Sequence, residues 1–204
     1  LTNMDDFENS DLLINLKKEF KECSFMLRQK EMENETVEID NFLSDDICNW
    51  FMSFHQTMFP LYGSEFENRR IINLTELTHV LYNNNLPYDV TDYLKIVQAN
   101  LTTEVRKHDP QAFPNYIHCT EWTAPIYQPI HTDFDEHVWT SILYLNDNFT
   151  GGNTIIEGER IPPKKGSVIT FKGELKHGVE EVTEGNRYTI SVWYKNHIGV
   201  NKYR

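Results

Sequence analysis

Four side chains in the C-terminal third carry the chemistry this sequence can perform: His131 and Asp133, in His131-Thr132-Asp133, then His177 and Arg187. Two neutral imidazoles and one carboxylate form a three-point facial ligand set that leaves half of an octahedral ion's positions open. That arrangement suits a non-haem Fe(II) that must also bind a co-substrate and O₂. The planar fork of Arg187 grips carboxylates through two parallel hydrogen bonds, which makes it the partner for an acidic co-substrate. A chelating dianion would neutralise the two charges of the ion and the one of Arg187 once Asp133 is counted.

Strands must present these groups. His131 and Asp133 are two apart, so on one strand they project from one face. On the segment Arg187–Tyr194, Arg187, Thr189, Ser191 and Trp193 share a face, and Tyr188, Ile190, Val192 and Tyr194 share the other. The polar row reads as a pocket lining, and an unpaired guanidinium buried there would cost several kcal/mol, so a bound carboxylate is the economical partner.

Several short β segments fill the region from Ala112 onward. Alternation runs through Tyr116–Trp122, around His131, over His137–Leu145, and again at Thr154–Ile156, Ser167–Phe171, Gly178–Val182 and Arg187–Trp193, with turns at Gly151-Gly152, Pro162-Pro163 and Glu184-Gly185-Asn186. Strands at this spacing predict a mainly β fold with flanking α: a sandwich or jelly roll with the N-terminal helices packed on one sheet. The chain is read as a single domain, 1–204, with a supporting region of helices and strand over 1–111 and the jelly-roll core over 112–204.

In the supporting region, Leu12, Leu13, Leu16 and Phe20 recur at helical spacing, and Glu35–Asp40 alternates as a strand. Ser44-Asp45-Asp46 reads as a helix start, with Ile47, Trp50, Phe51 and Phe54 as its buried stripe. His55 beside it reads as a packed or surface histidine. Residues 59–88 show no clear period, which fits a binding loop or lid and a plain surface loop equally. Arg69 and Arg70 there read as a solvated pair, or as contacts to an acidic substrate. A further helix is expected from about Asp89 to Lys107.

Composition narrows the class. The 204 residues are 39% hydrophobic and 13% aromatic, with a net charge of −12 and scattered lysine and arginine, which speaks against a nucleic-acid surface. No apolar run reaches membrane-spanning length and no signal-peptide pattern opens the chain, so a cytoplasmic location is expected. Cys23, Cys48 and Cys119 lack C-x-x-C spacing and read as reduced thiols. His118 and His137 read as neighbours of the site and not as ligands.

The stretch 131–194 resembles the Fe(II)/2-oxoglutarate-dependent dioxygenases of the prolyl 4-hydroxylase-like branch. The likeness rests on His131-Thr132-Asp133 with His177; on Tyr144-Leu145-Asn146 followed by Gly151-Gly152-Asn153-Thr154; on Pro163-Lys164-Lys165-Gly166; and on Arg187-Tyr188-Thr189-Ile190-Ser191-Val192-Trp193-Tyr194. Collagen-type members carry a lysine where Arg187 stands. The resemblance implies a double-stranded β-helix with Fe(II) as cofactor and 2-oxoglutarate and O₂ as co-substrates. It places His131, Asp133 and His177 on the metal, and gives Arg187, Ser191 and Tyr144, with Thr189 and Tyr127, to 2-oxoglutarate. Trp193 and Trp122 border the substrate. The implied reaction is hydroxylation of a C–H bond, releasing succinate and CO₂. A prolyl residue in a peptide or protein leads as substrate, with a free amino acid or other small metabolite as the alternative. Two further alternatives are a metalloenzyme of similar barrel needing no 2-oxoglutarate and an inactive peptide-binding barrel.

Overall fold

The computed structural model describes residues 36–83 and 88–196. The helix expected around Leu12–Phe20 lies outside the described residues. Two antiparallel sheets face each other. The major sheet has seven strands: β1 (Thr36–Ile39), β10 (Val168–Lys172), β6 (Trp139–Tyr144), β12 (Asn186–Lys195), β4 (Phe113–Thr123), β3 (Arg69–Asn73) and β2 (Gly63–Phe66), in that order across the sheet. The minor sheet runs β5 (Ile126–His131), β11 (His177–Glu184), β8 (Thr154–Ile156) and β9 (Glu159–Ile161), with β7 (Thr150–Gly151) paired to β11. This is the double-stranded β-helix that the strand spacing implied. Three of its strands come from residues before Ala112, so the supporting region shares a sheet with the core.

Helices α1 (Asp45–Tyr62), α2 (Leu74–Asn83) and α3 (Tyr88–Arg106) contribute to a core against the outer face of the major sheet. Helix α1 starts where Ser44 Oγ accepts from the Ile47 amide at 3.5 Å, with Asp45 and Asp46 at the positive end of the dipole. Its buried face is Cys48, Phe51, Phe54 and His55, while Ile47 and Trp50 are half-buried. These side chains meet Leu74 and Leu77 of α2, Leu94, Val97, Leu101 and Val105 of α3, and Tyr188, Ile190, Val192 and Tyr194 of β12. One face of β12 thus closes the helical core and the other is free to line the space between the sheets.

Within the stretch 59–88, of which 84–87 lie outside the described residues, residues 59–83 are more ordered than their composition predicts. Strands β2 and β3 form a hairpin whose ends pair Phe66 with Arg69. Its two-residue turn, Glu67-Asn68, has φ of 49° and 60°. Both positive values match the twist of the flanking strands, a geometry for which Asn-Gly and Asp-Gly are the usual sequence signals. Glu-Asn carries that signal weakly, so the hairpin reads as irregular chain. Neither a free lid nor a plain loop describes it, because β3 is bonded along its length to β4.

Candidate active site

The two histidines meet because the minor sheet pairs them. His131, the last residue of β5, lies opposite His177, the first of β11, and their rings stand 4.4 Å apart between centroids. Each Nδ1 must donate, since its partner is a carbonyl: Pro129 O at 2.9 Å for His131 and Leu175 O at 2.8 Å for His177. That fixes the tautomer and leaves each Nε2 unprotonated, the state a metal ligand needs; in the structure the His131 Nε2 accepts from the Gln128 amide at 3.2 Å. Burial pushes the His177 pKa down, the backbone bond and Asp133 opposing, which keeps its lone pair available.

Asp133 lies just beyond the end of β5, not on it. The sharing of a face expected from one strand is replaced by a set of tethers. Its amide donates to Gly173 O at 3.0 Å, and its carboxylate accepts from Trp193 Nε1 at 3.1 Å and from the Thr140 hydroxyl. A Cβ on residue 173 would stand 2.2 Å from His137 O and 3.5 Å from Asp133 Cβ, so glycine alone lets the two loops approach. The potential ligand atoms of His131, Asp133 and His177 all lie within 4.8 Å of one another. Among the described residues, His118 and His137 join no such group.

Arg187 occupies the same inter-sheet space. It is 1% exposed, and one amino group donates to Thr154 Oγ1 at 3.2 Å. The guanidinium carbon lies 5.2 Å from the Trp122 ring centre and 5.4 Å from that of Tyr144. Its Nε is buried without a partner. Burial lowers its pKa, and Tyr144 is the group that opposes this; no carboxylate among the described residues does so. Burial raises the pKa of Tyr144 in turn, against the pull of Arg187, so its hydroxyl stays protonated and bonds Thr154 at 2.6 Å. A buried cation with an orphaned donor fits a carboxylate ligand, and two imidazoles with one carboxylate fit a divalent ion. The residues present therefore suit both Fe(II) and 2-oxoglutarate.

Residues 118–195 match the family model described as the 2OG-Fe(II) oxygenase superfamily. That segment is similar to the 2OG-Fe(II) oxygenases. Over 82 residues it is 35% identical to prolyl 3-hydroxylase 2 of Homo sapiens, a match covering 36% of this chain and 11% of that protein. The match thus spans about a tenth of the length of the curated relatives. Two solved structures share this fold. A prolyl-4-hydroxylase of Pseudomonas putida superposes with a TM-score of 0.67 at 13% identity, covering 84% of this chain and 98% of that one. A prolyl hydroxylase of Trichoplax adhaerens, in complex with a hypoxia inducible factor oxygen degradation domain peptide fragment, gives 0.66 at 13% identity, covering 98% and 99%.

The cavity and its walls place the remaining expected residues as follows. Ser191 and Trp193 line the cavity with Arg187, and so does Trp122. Thr189 is 1% exposed and accepts from Trp122 Nε1 at 3.4 Å, so it braces the indole behind the cavity wall. Tyr127 is a correction: it is 65% exposed and lines no part of the cavity. Counting by twos from His131 turns Tyr127 inward, but the ladder pairs His177 with His131 and Val179 with Gln128. One extra residue is therefore bulged out of β5 around Pro129, and the face is inverted beyond it. Gln128 takes the inward position, its amide 3.2 Å from His131 Nε2. Gly178 faces the bulge, where a Cβ would come 2.8 Å from Gln128 O.

Gln128, Thr140 and Thr154 are cavity or support residues to which the sequence assigns no role, whereas Arg69, read as solvated or as a contact to an acidic substrate, lines the cavity. Thr154 had a signal, since it closes the Gly151-Gly152-Asn153-Thr154 segment. What sets Arg69 apart from Arg70 is register, because its neighbours across the sheet are Trp122 and then Arg187.

Proposed function

We propose that the protein is an Fe(II)- and 2-oxoglutarate-dependent hydroxylase acting on a prolyl residue in a peptide or protein. The observation that carries the reaction is the buried, carboxylate-free Arg187 sharing one cavity with the convergent His131, Asp133 and His177. The likeness to prolyl hydroxylases supports the choice of proline.

His131, Asp133 and His177 would hold the ion, with Trp193 and Thr140 fixing the carboxylate, whose Oδ1 lies 3.7 Å from His177 Nε2. Bound there, the iron activates O₂ so that 2-oxoglutarate is oxidatively decarboxylated and one oxygen atom enters a substrate C–H bond, giving hydroxylated product, succinate and CO₂. Arg187 pairs with the distal carboxylate of 2-oxoglutarate. Thr154 and Tyr144 orient the guanidinium, and Ser191, on the same face of β12, adds a hydroxyl. The apolar groups on either side, Ile156 and Phe171 toward one end and Val179 and Val182 toward the other, keep water out.

Anaerobic addition of Fe(II) and 2-oxoglutarate tests the chemistry. A visible charge-transfer band is expected in the wild type and absent in His131→Ala. Mass spectrometry of proline-containing peptides after aerobic turnover tests the substrate: a gain of one oxygen on proline that requires 2-oxoglutarate is expected. A band without such a gain would retain the oxygenase and dismiss the prolyl substrate.

A further inference from the structure

We infer that Arg69 is a substrate-selecting residue, placed to bind a carboxylate on the substrate beside the carbon that is oxidised. This rests on the reading of the cavity as an oxygenase site given above, and it names a feature of the substrate: an acidic group next to the reacting residue.

Arg69, Trp122 and Arg187 are consecutive cross-strand neighbours on β3, β4 and β12, all on the face that looks between the sheets. The Trp122 ring lies between the two guanidinium groups, 5.1 Å from the Arg69 carbon and 5.2 Å from that of Arg187. Both arginines line the same cavity, with Ile71 and His118 on the Arg69 side. They differ in depth. Arg187 is sealed at 1% exposure, whereas the Arg69 side chain keeps 15% at the mouth. Two cations at two depths on either side of one indole suit two separate anions, the deeper from the co-substrate and the outer from the substrate.

The partner Arg69 has in this structure is a weak competitor. One amino group donates to Glu67 Oε2 at 2.9 Å, but the Glu67 side chain is 70% exposed at the hairpin turn. The other amino group and Nε make no hydrogen bond among the described residues, so an edge of the fork remains for a second carboxylate.

The position of Arg69 is set by the opposite face of the same rows. Arg70, Glu121 and Tyr188 are also cross-strand neighbours, and Glu121 accepts from Arg70 Nη1 at 2.7 Å and from the Tyr188 hydroxyl at 2.5 Å. Asn186 Nδ2 adds 2.8 Å to the same buried carboxylate. A slip of one residue in the β3–β4 ladder would exchange Arg69 with Arg70 and break this network, so the buried row holds the cavity-side arginine in register.

The test uses two synthetic peptides that are identical except for Glu or Gln beside a central proline. Each is titrated anaerobically into the enzyme loaded with Fe(II) and 2-oxoglutarate, so that the affinity read does not depend on hydroxylation. The wild type is expected to bind the Glu peptide about tenfold more tightly, the scale of one partly exposed charge-assisted contact. Arg69→Ala is expected to weaken the Glu peptide by the same factor with little change for Gln, and Arg69→Lys to restore part of the preference. Equal affinities in the wild type, including no binding of either peptide, would overturn the assignment. A Glu preference that survives Arg69→Ala would do so too. Peptides bound with an Arg69-dependent preference but never hydroxylated would leave Arg69 standing and remove the prolyl reading alone.

Discussion

Arg187→Met separates a ligand-binding cation from a structural one by the sign of its effect on stability. In the structure the guanidinium is buried with one hydrogen bond to Thr154, two aromatic faces at 5.2 and 5.4 Å and an unpartnered Nε. Those contacts return part of the desolvation cost but supply no counter-charge. Methionine fills a similar volume without charge, so removing the cation is expected to leave folding stability unchanged or to raise it by up to about 2 kcal/mol. For a chain of this size that is a rise in Tm of up to about 6 °C. Co-substrate binding goes the other way. A bidentate carboxylate contact is worth about 3 kcal/mol, which is a loss of about a hundredfold in 2-oxoglutarate affinity. Thermal unfolding of the metal-loaded protein with and without 2-oxoglutarate reads both quantities. In the wild type, co-substrate at a hundred times its Kd raises stability by about 2.7 kcal/mol, and in Arg187→Met the same concentration gives only about 0.4 kcal/mol. A variant that loses several degrees of Tm yet keeps its 2-oxoglutarate response would refute the reasoning. It would mean that the guanidinium holds the sheets together by itself.

Three further outcomes are expected. Trp193→Phe removes the indole N–H that bonds Asp133 Oδ1 at 3.1 Å, and should weaken metal affinity about tenfold or more in a direct titration, with the fold retained by circular dichroism. Tyr127→Ala should leave the 2-oxoglutarate Kd within about twofold of wild type, because the ring is outside the cavity. His55 is fully buried, and burial pushes its pKa below the ordinary 6.5 despite Glu121 nearby. The unfolded chain then takes up a proton that the folded one refuses, so stability is flat above about pH 6.5 and falls as pH drops below it, by up to about 1.4 kcal/mol per pH unit for this one group. His55→Phe should show a shallower fall in urea denaturation between pH 6.5 and the folded-state value, and an identical slope would assign the acid sensitivity to His118, His137 and His177, whose pKa values burial also lowers.

The ligand set was legible because residue type and order carry it: His131, Asp133, His177 and Arg187 have few other reasons to recur on short alternating strands. What the alternation could not carry was any break in the ladder. The bulge at Pro129 inverts the parity of β5, so Tyr127 reads inward by counting and stands outward in space. Asp133 reads as a strand residue and is instead held by Thr140 on the following strand and by Gly173 and Trp193, which lie far from it in sequence. The β2–β3 hairpin was hidden for a local reason: its turn uses Glu67 and Asn68 at positive φ, where glycine would have announced it.

Strand β12 and its neighbours explain why one sheet can serve both folding and chemistry. Along each cross-strand row the side chains alternate between faces, so Arg69, Trp122 and Arg187 look into the cavity while Arg70, Glu121 and Tyr188 look toward the helices. The helix-side row is internally neutralised, since Glu121 accepts from both Arg70 and Tyr188. The cavity-side row holds two cations, and among the described residues only the outer one has a carboxylate, the exposed Glu67. Charge balance is therefore complete on the face that stabilises the fold and incomplete on the face that meets small molecules. A ligand that brings negative charge to the second face completes the pairing without disturbing the first, and a substitution confined to one row should register on stability or on binding, seldom on both.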